Sequence, residues 1–176
     1  LCRSLQPSTL PREPAQPNTR KGFPRKPRGG LEIDRALFSL QQGIFDHAYT
    51  PKNVQRHYNE LNGRLFQTAA YFPGAVTKAP DPSILHSVRI HASNPRDWGS
   101  PVMFAKEAAR RPTGCYLAPG TIARITVPKT LVDCGYSIRV GAHSWDLKKK
   151  PTIKRLDRVS LVYPITSEQT LIANPL

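Results

Sequence analysis

Two spacings of apolar residues divide the chain. Between residues 34 and 72 apolar side chains recur every three or four positions, and from residue 88 onward they tend to alternate with polar ones. Leu37, Leu40 and Ile44 form the first helical set, with Asp34 placed as its N-cap. Thr50-Pro51 supplies a cap and a preset first helical residue for a second set, Val54, Tyr58, Leu61, Leu65, Ala69 and Phe72, which Pro73-Gly74 ends. An antiparallel helical hairpin over Asp34 to Phe72 is the expectation, packed through that stripe onto itself or onto the next segment.

Past the turn-rich Pro80-Asp81-Pro82-Ser83 the period changes. Val88, Ile90 and Ala92 alternate with Ser87, Arg89 and His91, as on a half-buried strand. Ser100-Pro101 repeats the cap-plus-proline signal and predicts a short helix from Pro101 to Arg110, closed by Pro112. Three further faces read as strands: Ala123, Ile125 and Val127; then Tyr136, Ile138, Val140 and Ala142; then Val159, Leu161, Tyr163 and Ile165. The fold class expected is α+β, a helical hairpin followed by an antiparallel β-sheet or partial β-sandwich. Residues 1–30, with six prolines among basic and polar residues and little apolar periodicity, read as a disordered head. Residues 31–82 are then a helical accessory segment, and 83–176 a β-rich domain.

Composition narrows the classes. The 176 residues include 18 prolines, too many for long uninterrupted helices, and no apolar run has the length of a membrane span or a signal peptide. Leu1 in place of Met, and a stop at Pro175-Leu176 just after a strand-like run, read as cut ends. On that reading the edge of the Val159–Ile165 strand is uncovered. A net charge of +14 and a pI near 10.2 raise acidic partners. The cations, however, gather in the head and in one run (Lys148, Lys149, Lys150, Lys154, Arg155, Arg158) without interleaved aromatics, so a solvated basic surface is read in preference to a nucleic-acid site.

Metal chemistry finds no support in the spacing. Cys2, Cys115 and Cys134 lack Cys-x-x-Cys spacing, and none of His47, His57, His86, His91 or His143 pairs with another one helical turn away or precedes a Glu. No catalytic residue and no metal ligand is assigned. Cys115 and Cys134 leave two readings open: a disulfide if the chain is exported, or two buried free thiols.

Two motifs remain. In Thr113-Gly114-Cys115-Tyr116-Leu117-Ala118-Pro119-Gly120, Gly114 allows an unusual backbone angle, Tyr116 and Leu117 anchor a short strand, and Pro119-Gly120 are the centre of a type II turn. In Gly141-Ala142-His143-Ser144-Trp145-Asp146, the residues of a hydrolytic triad are present in name only. Neighbours on an extended strand alternate in direction and cannot converge. Asp146 is expected to cap the turn that follows, His143 to make structural hydrogen bonds, and Trp145 to be either a glycan-stacking platform or a core or rim residue.

These motifs resemble the enhancin-like (M sixty) family of secreted zinc metallopeptidases. Thr113, Gly114, Tyr116, Gly120, the Ile125–Pro128 strand, Gly141, His143 and Asp146 match the family's pattern as scaffold positions, from about Trp98 to Leu176. The wording is most similar to immunomodulating O-glycoprotein proteases of pseudomonads. Cys115 departs from it, standing where the family usually carries an aliphatic residue. The family's His-Glu-x-x-His is absent. The resemblance implies a non-catalytic amino-terminal part of a secreted enzyme that cleaves mucin-type O-glycosylated proteins, with zinc in the parent and none in this chain. Its partners are then the remainder of the catalytic domain and, through the parent, the glycoprotein substrate. The rival reading is a β-sandwich module binding glycans or polyanions through Trp145 and the basic loop.

Overall fold

The computed structural model describes residues 23–25, 32–93 and 108–176. The chain forms two compact units, Leu1–Lys78 with Leu117–Leu176, and Ala79–Tyr116. The helical segment and the later strands therefore build one unit, a division different from a boundary at residue 82.

In the larger unit, helix α1 spans Glu32–Ala48 and α2 spans Pro51–Leu61. Asp34 lies inside the first turn of α1 with Glu32, where acidic groups favour the helix dipole, so it is not the N-cap expected from the sequence. The buried face of α1 is Arg35, Phe38, Gln42 and Phe45, one position round from the expected stripe, and Leu40 is left 47% exposed. Two phenyl rings offer more apolar area than Leu37 and Leu40, and the polar pair between them is tolerated because it is bonded. Arg35 bonds Glu32, and Gln42 bonds Asp46.

Thr50 caps α2 as the sequence indicates, its hydroxyl accepting from the Asn53 N–H at 3.3 Å, with Pro51 in the first turn. The helix stops eleven residues before Phe72. Asn62 leaves helical geometry and Gly63 takes φ +79°, so Leu65, Ala69 and Phe72 are carried by a loop and a 3-10 turn, Gln67–Ala70. Ala69 still reaches the core, by another backbone route.

The strands are antiparallel pairs. β1 (Phe23–Pro24) pairs with β4 (Thr152–Ile153), β2 (Ile122–Thr126) with β6 (Gln169–Ala173), and β3 (Ser137–Val140) with β5 (Leu161–Pro164). With α1 and α2 this is an α+β arrangement. Residues 23–25 belong to the stretch read as a disordered head, yet they join the fold, because Arg25 forms a two-pronged pair with Asp157 at 2.7 and 3.0 Å. The other residues of 1–30 lie outside the described residues.

Two apolar clusters hold the unit together. Phe38 and Phe45 of α1 meet Ala69, Ile153, Leu156, Val159 and Leu176 in one. In the other, Tyr49 and Val54 meet Tyr163, Ile172 and Ala173, so α2 docks on β6 through Val54. Val159, Tyr163 and Ile165 are at most 7% exposed, so those side chains of the strand are covered, while Val162, at 44%, and Pro164 face solvent; among the described residues β5 pairs with β3 alone, so its other edge carries no strand. Tyr163 knits the ribbons, its hydroxyl donating to the Ala173 carbonyl at 2.6 Å. Burial pushes this phenol up to about 12, against the pull of the bond to Ala173.

The smaller unit is described over residues 79–93 and 108–116, with no helix or strand among them. Val88 and Ile90 are 41% and 42% exposed and Leu85 is 94% exposed, so the alternation seen in the sequence does not become a half-buried strand. No partner strand pairs with it among the described residues. Tyr116, 84% exposed, anchors no strand either. Arg111 ties the two described pieces, donating to the carbonyls of His91 at 3.1 Å and Ser93 at 3.4 Å. Ser83 donates twice to Asp81, which holds that carboxyl below its ordinary value. Most of the expected Pro101–Arg110 helix lies outside the described residues.

Candidate functional site

The loop leaving β3 carries Gly141, His143, Trp145 and Asp146, and its shape is imposed from outside. Gly141 has φ +89°, and a Cβ there would sit 2.8 Å from the Val159 carbonyl oxygen, so only glycine fits. Ser160 then fastens the strand end, its hydroxyl within 2.9 Å of the Gly141 carbonyl and 2.6 Å of the His143 carbonyl.

Arg158 fastens the other end. Its guanidinium grips both oxygens of Asp46 on α1, with Nε to Oδ1 at 3.0 Å and Nη2 to Oδ2, while Nη1 reaches Asp146 at 3.2 Å. The Arg158 backbone N–H donates to Gln42 at 3.0 Å, and Gln42 donates to Asp46 at 2.9 Å. The hydrogen bonds that Arg158 donates to Asp46 push its guanidinium well above its ordinary value. Asp146 accepts from the Lys148 N–H at 2.9 Å, closing the turn, and this bond holds its carboxyl below the ordinary range, with Arg158 and Lys148 assisting.

His143 lies with its ring centroid 4.7 Å from that of Phe72, and Arg155 covers the Phe72 ring at 4.6 Å. Burial lowers the Arg155 guanidinium, opposed by Asp157. Arg155 and Arg158, grouped in the sequence with a solvated basic run, are therefore packing and pairing residues. Because Asp146 is held by Arg158 and His143 rests on Phe72, no hydrogen bond joins His143 to Asp146. The orienting contact of a hydrolytic relay is not made.

The second motif splits at the unit boundary between Tyr116 and Leu117. On one side, Gly114 has φ +74° and the Cys115 N–H donates to the Thr113 hydroxyl at 3.1 Å. On the other, Pro119 and Gly120 form the expected turn, with Gly120 at φ +72° and the Thr121 N–H donating to Ala118 at 3.0 Å. Gly120 also links three segments, accepting from the Gly63 N–H at 2.7 Å and donating to the Asn174 carbonyl at 2.9 Å. Cys115 and Cys134 are free and exposed, so neither a disulfide nor a pair of buried thiols is present.

The sequence reading missed Asp46, Gln42, Ser160 and Phe72 as partners of this loop. The signal for Asp46 was the scarcity of carboxylates, 12 against 26 Lys and Arg, which makes each one a natural end-point for an arginine, while Gln42, Ser160 and Phe72 carry no such mark.

A family model describing the N-terminal domain of M60-like peptidases matches residues 86–176, more than half of the chain. The chain belongs to this family. No curated protein and no solved structure matches it. Both motifs fall inside the matched residues, and in this M60-like N-terminal domain the loop carrying Gly141, His143 and Asp146 is held by Ser160, Arg158 and Phe72. Zinc, which the family resemblance assigns to the parent peptidases, needs at least three converging ligands. Among the described residues no three His, Cys, Asp or Glu side chains come together, so they do not fit that ion. No helix among them is long and apolar enough to cross a membrane.

Proposed function

We propose that this M60-like N-terminal domain is the non-catalytic, scaffolding part of a secreted zinc metallopeptidase that acts on mucin-type O-glycosylated proteins. The family match over residues 86–176 carries the reading. The construction of the Gly141–Asp146 loop supports the scaffolding role. Ser160, Arg158 and Phe72 each hold a different part of it, the His143 carbonyl, the Asp146 carboxylate and the His143 ring. A support of this kind contributes to a reaction by holding other groups in place rather than by touching the scissile bond.

The parent protein provides the test. It should cleave an O-glycosylated mucin, lose that activity to a chelator, and spare the same mucin after enzymatic removal of its O-glycans. The present chain alone should leave both intact. In the parent, Arg158→Ala should lower kcat and the melting temperature while bound zinc stays at its normal stoichiometry. Equal cleavage of glycosylated and deglycosylated mucin would remove the substrate assignment, and cleavage by the isolated chain would remove the non-catalytic one.

A further inference from the structure

Trp145 is 77% exposed and its ring makes no aromatic or cation–π contact among the described residues. It stands on a segment that is fastened far more firmly than its exposure suggests. Besides Ser160 and Arg158, the Leu147 N–H donates to the Asp157 carbonyl at 3.1 Å, and Arg25 donates to the carbonyls of Leu147 at 3.0 Å and Lys150 at 2.8 Å. A large apolar ring held out in water from a pinned backbone is unfavourable for folding alone and favourable for binding, because little conformational freedom is left to lose.

The charge around the ring is one-sided for a specific reason. Asp146 and Asp157, the carboxylates of this stretch, are taken by Arg158 and Arg25. Lys148 shares Asp146 at 3.6 Å and its side chain is 62% exposed, while Lys149 and Lys150 are exposed with no ion-pair partner among the described residues. The surface thus offers one aromatic face followed within five residues by three ammonium groups. A ligand that fits has one apolar face the size of a single ring and an anionic substituent beside it.

We propose that the Trp145–Lys150 segment binds an acidic saccharide, with the sugar's C–H face stacked on Trp145 and its carboxylate or sulfate met by Lys149 and Lys150. Single-stranded nucleic acid fits less well, since it uses successive aromatic platforms along a basic groove and this segment has one. A membrane surface fits less well too, because interfacial anchoring needs a set of apolar side chains, and Trp145 is flanked by Ser144 and Asp146.

The test uses the whole chain and needs no cleavage assay, so its failure leaves the peptidase reading standing and the converse also holds. A Trp98→Phe background makes Trp145 the only emitting indole, since the chain has two tryptophans. Sialyllactose and a 6-sulfated N-acetylglucosamine separate carboxylate from sulfate; neutral lactose is the control. At least one acidic sugar should quench Trp145 saturably, with lactose giving no saturable change and added salt weakening the response. By calorimetry, Trp145→Ala and the double change Lys149→Gln with Lys150→Gln should each weaken binding about tenfold or more, with unchanged melting temperatures. The proposal is overturned if neither acidic sugar binds, if lactose binds equally, or if the variants bind like the parent chain. It is also overturned if only an oligonucleotide or only anionic phosphatidylserine vesicles perturb Trp145.

Discussion

Arg158 and Asp46 lie 112 residues apart in sequence, yet the guanidinium of one spans both carboxylate oxygens of the other. This joins α1 to the segment between β4 and β5, with side chains about one-third exposed, and through Nη1 the same guanidinium reaches Asp146 in the loop after β3. Replacing Arg158 by Met should keep the aliphatic stem and cost about 2 kcal/mol in urea unfolding, the value of charged hydrogen bonds discounted for partial exposure. Asp46→Asn should cost less, since an amide oxygen still accepts.

Asp146 gives the same junction an acid limit. Its carboxyl is held below the ordinary value of 3.8, so the folded state binds this proton less readily than the unfolded chain. The associated stability is fully present above 3.8 and is lost as pH falls through the lower folded value. The surrounding charges are Arg158, Lys148 and Asp46. Asp146→Asn should flatten the stability profile below pH 4 compared with the unchanged chain, as measured by melting temperature against pH.

An alkaline limit comes from Tyr163. Its phenol is raised from 10.0 to about 12 by burial, so an unfolded chain loses this proton first. The stability it contributes is intact below pH 10 and declines as pH rises from 10 towards 12. Tyr163→Phe should remove that part of the decline. It should also cost about 1–2 kcal/mol at neutral pH, because the Ala173 carbonyl loses its 2.6 Å donor.

Gly120 and Gly63 form a matched pair for testing crowding. Both have positive φ, +72° and +79°, but a Cβ on Gly120 would meet the Arg64 carbonyl oxygen at 2.7 Å whereas one on Gly63 would meet nothing within 4 Å. Gly63→Ala should cost about 1 kcal/mol from backbone strain alone, and Gly120→Ala about 3 kcal/mol or more. Equal losses would show that the approach of the two backbones is relieved cheaply.

The cysteines are tested directly by alkylation. Iodoacetamide applied without denaturant or reductant should modify both Cys115 and Cys134, since each thiol is free and exposed. Peptide mass spectrometry should show both alkylated and no cross-linked Cys115–Cys134 peptide.

Local chemistry was legible in the sequence and long-range geometry was not. Thr50-Pro51 and Pro119-Gly120 fix their neighbourhoods through hydrogen bonds a few residues apart, and both form as read. The stripe from Val54 to Phe72 gave the right core residues at Val54 and Ala69 with the wrong backbone, because helical spacing cannot show that Gly63 will turn the chain. Leu40 and Phe38 are both apolar on adjacent faces of α1, and only the larger ring's fit to Ile153 and Leu156 decides which is buried. Asp46, Arg158 and Asp146 were invisible as a group, since charge pairing across 112 residues leaves no period to read.

The arrangement of partners also sets an order of assembly. Helix α2 rests on β6, β2 pairs with β6, and the Gly63–Gly120–Asn174 bonds join three distant stretches. As the chain leaves the ribosome, α1 and α2 emerge long before the strand that covers them, and closing such distant contacts is slow. The early helices must therefore wait, Phe45 for Ile153, Leu156 and Val159, and Tyr49 and Val54 for Tyr163, Ile172 and Ala173, before these side chains are buried. This makes the nascent chain a client for holding chaperones in proportion to that delay.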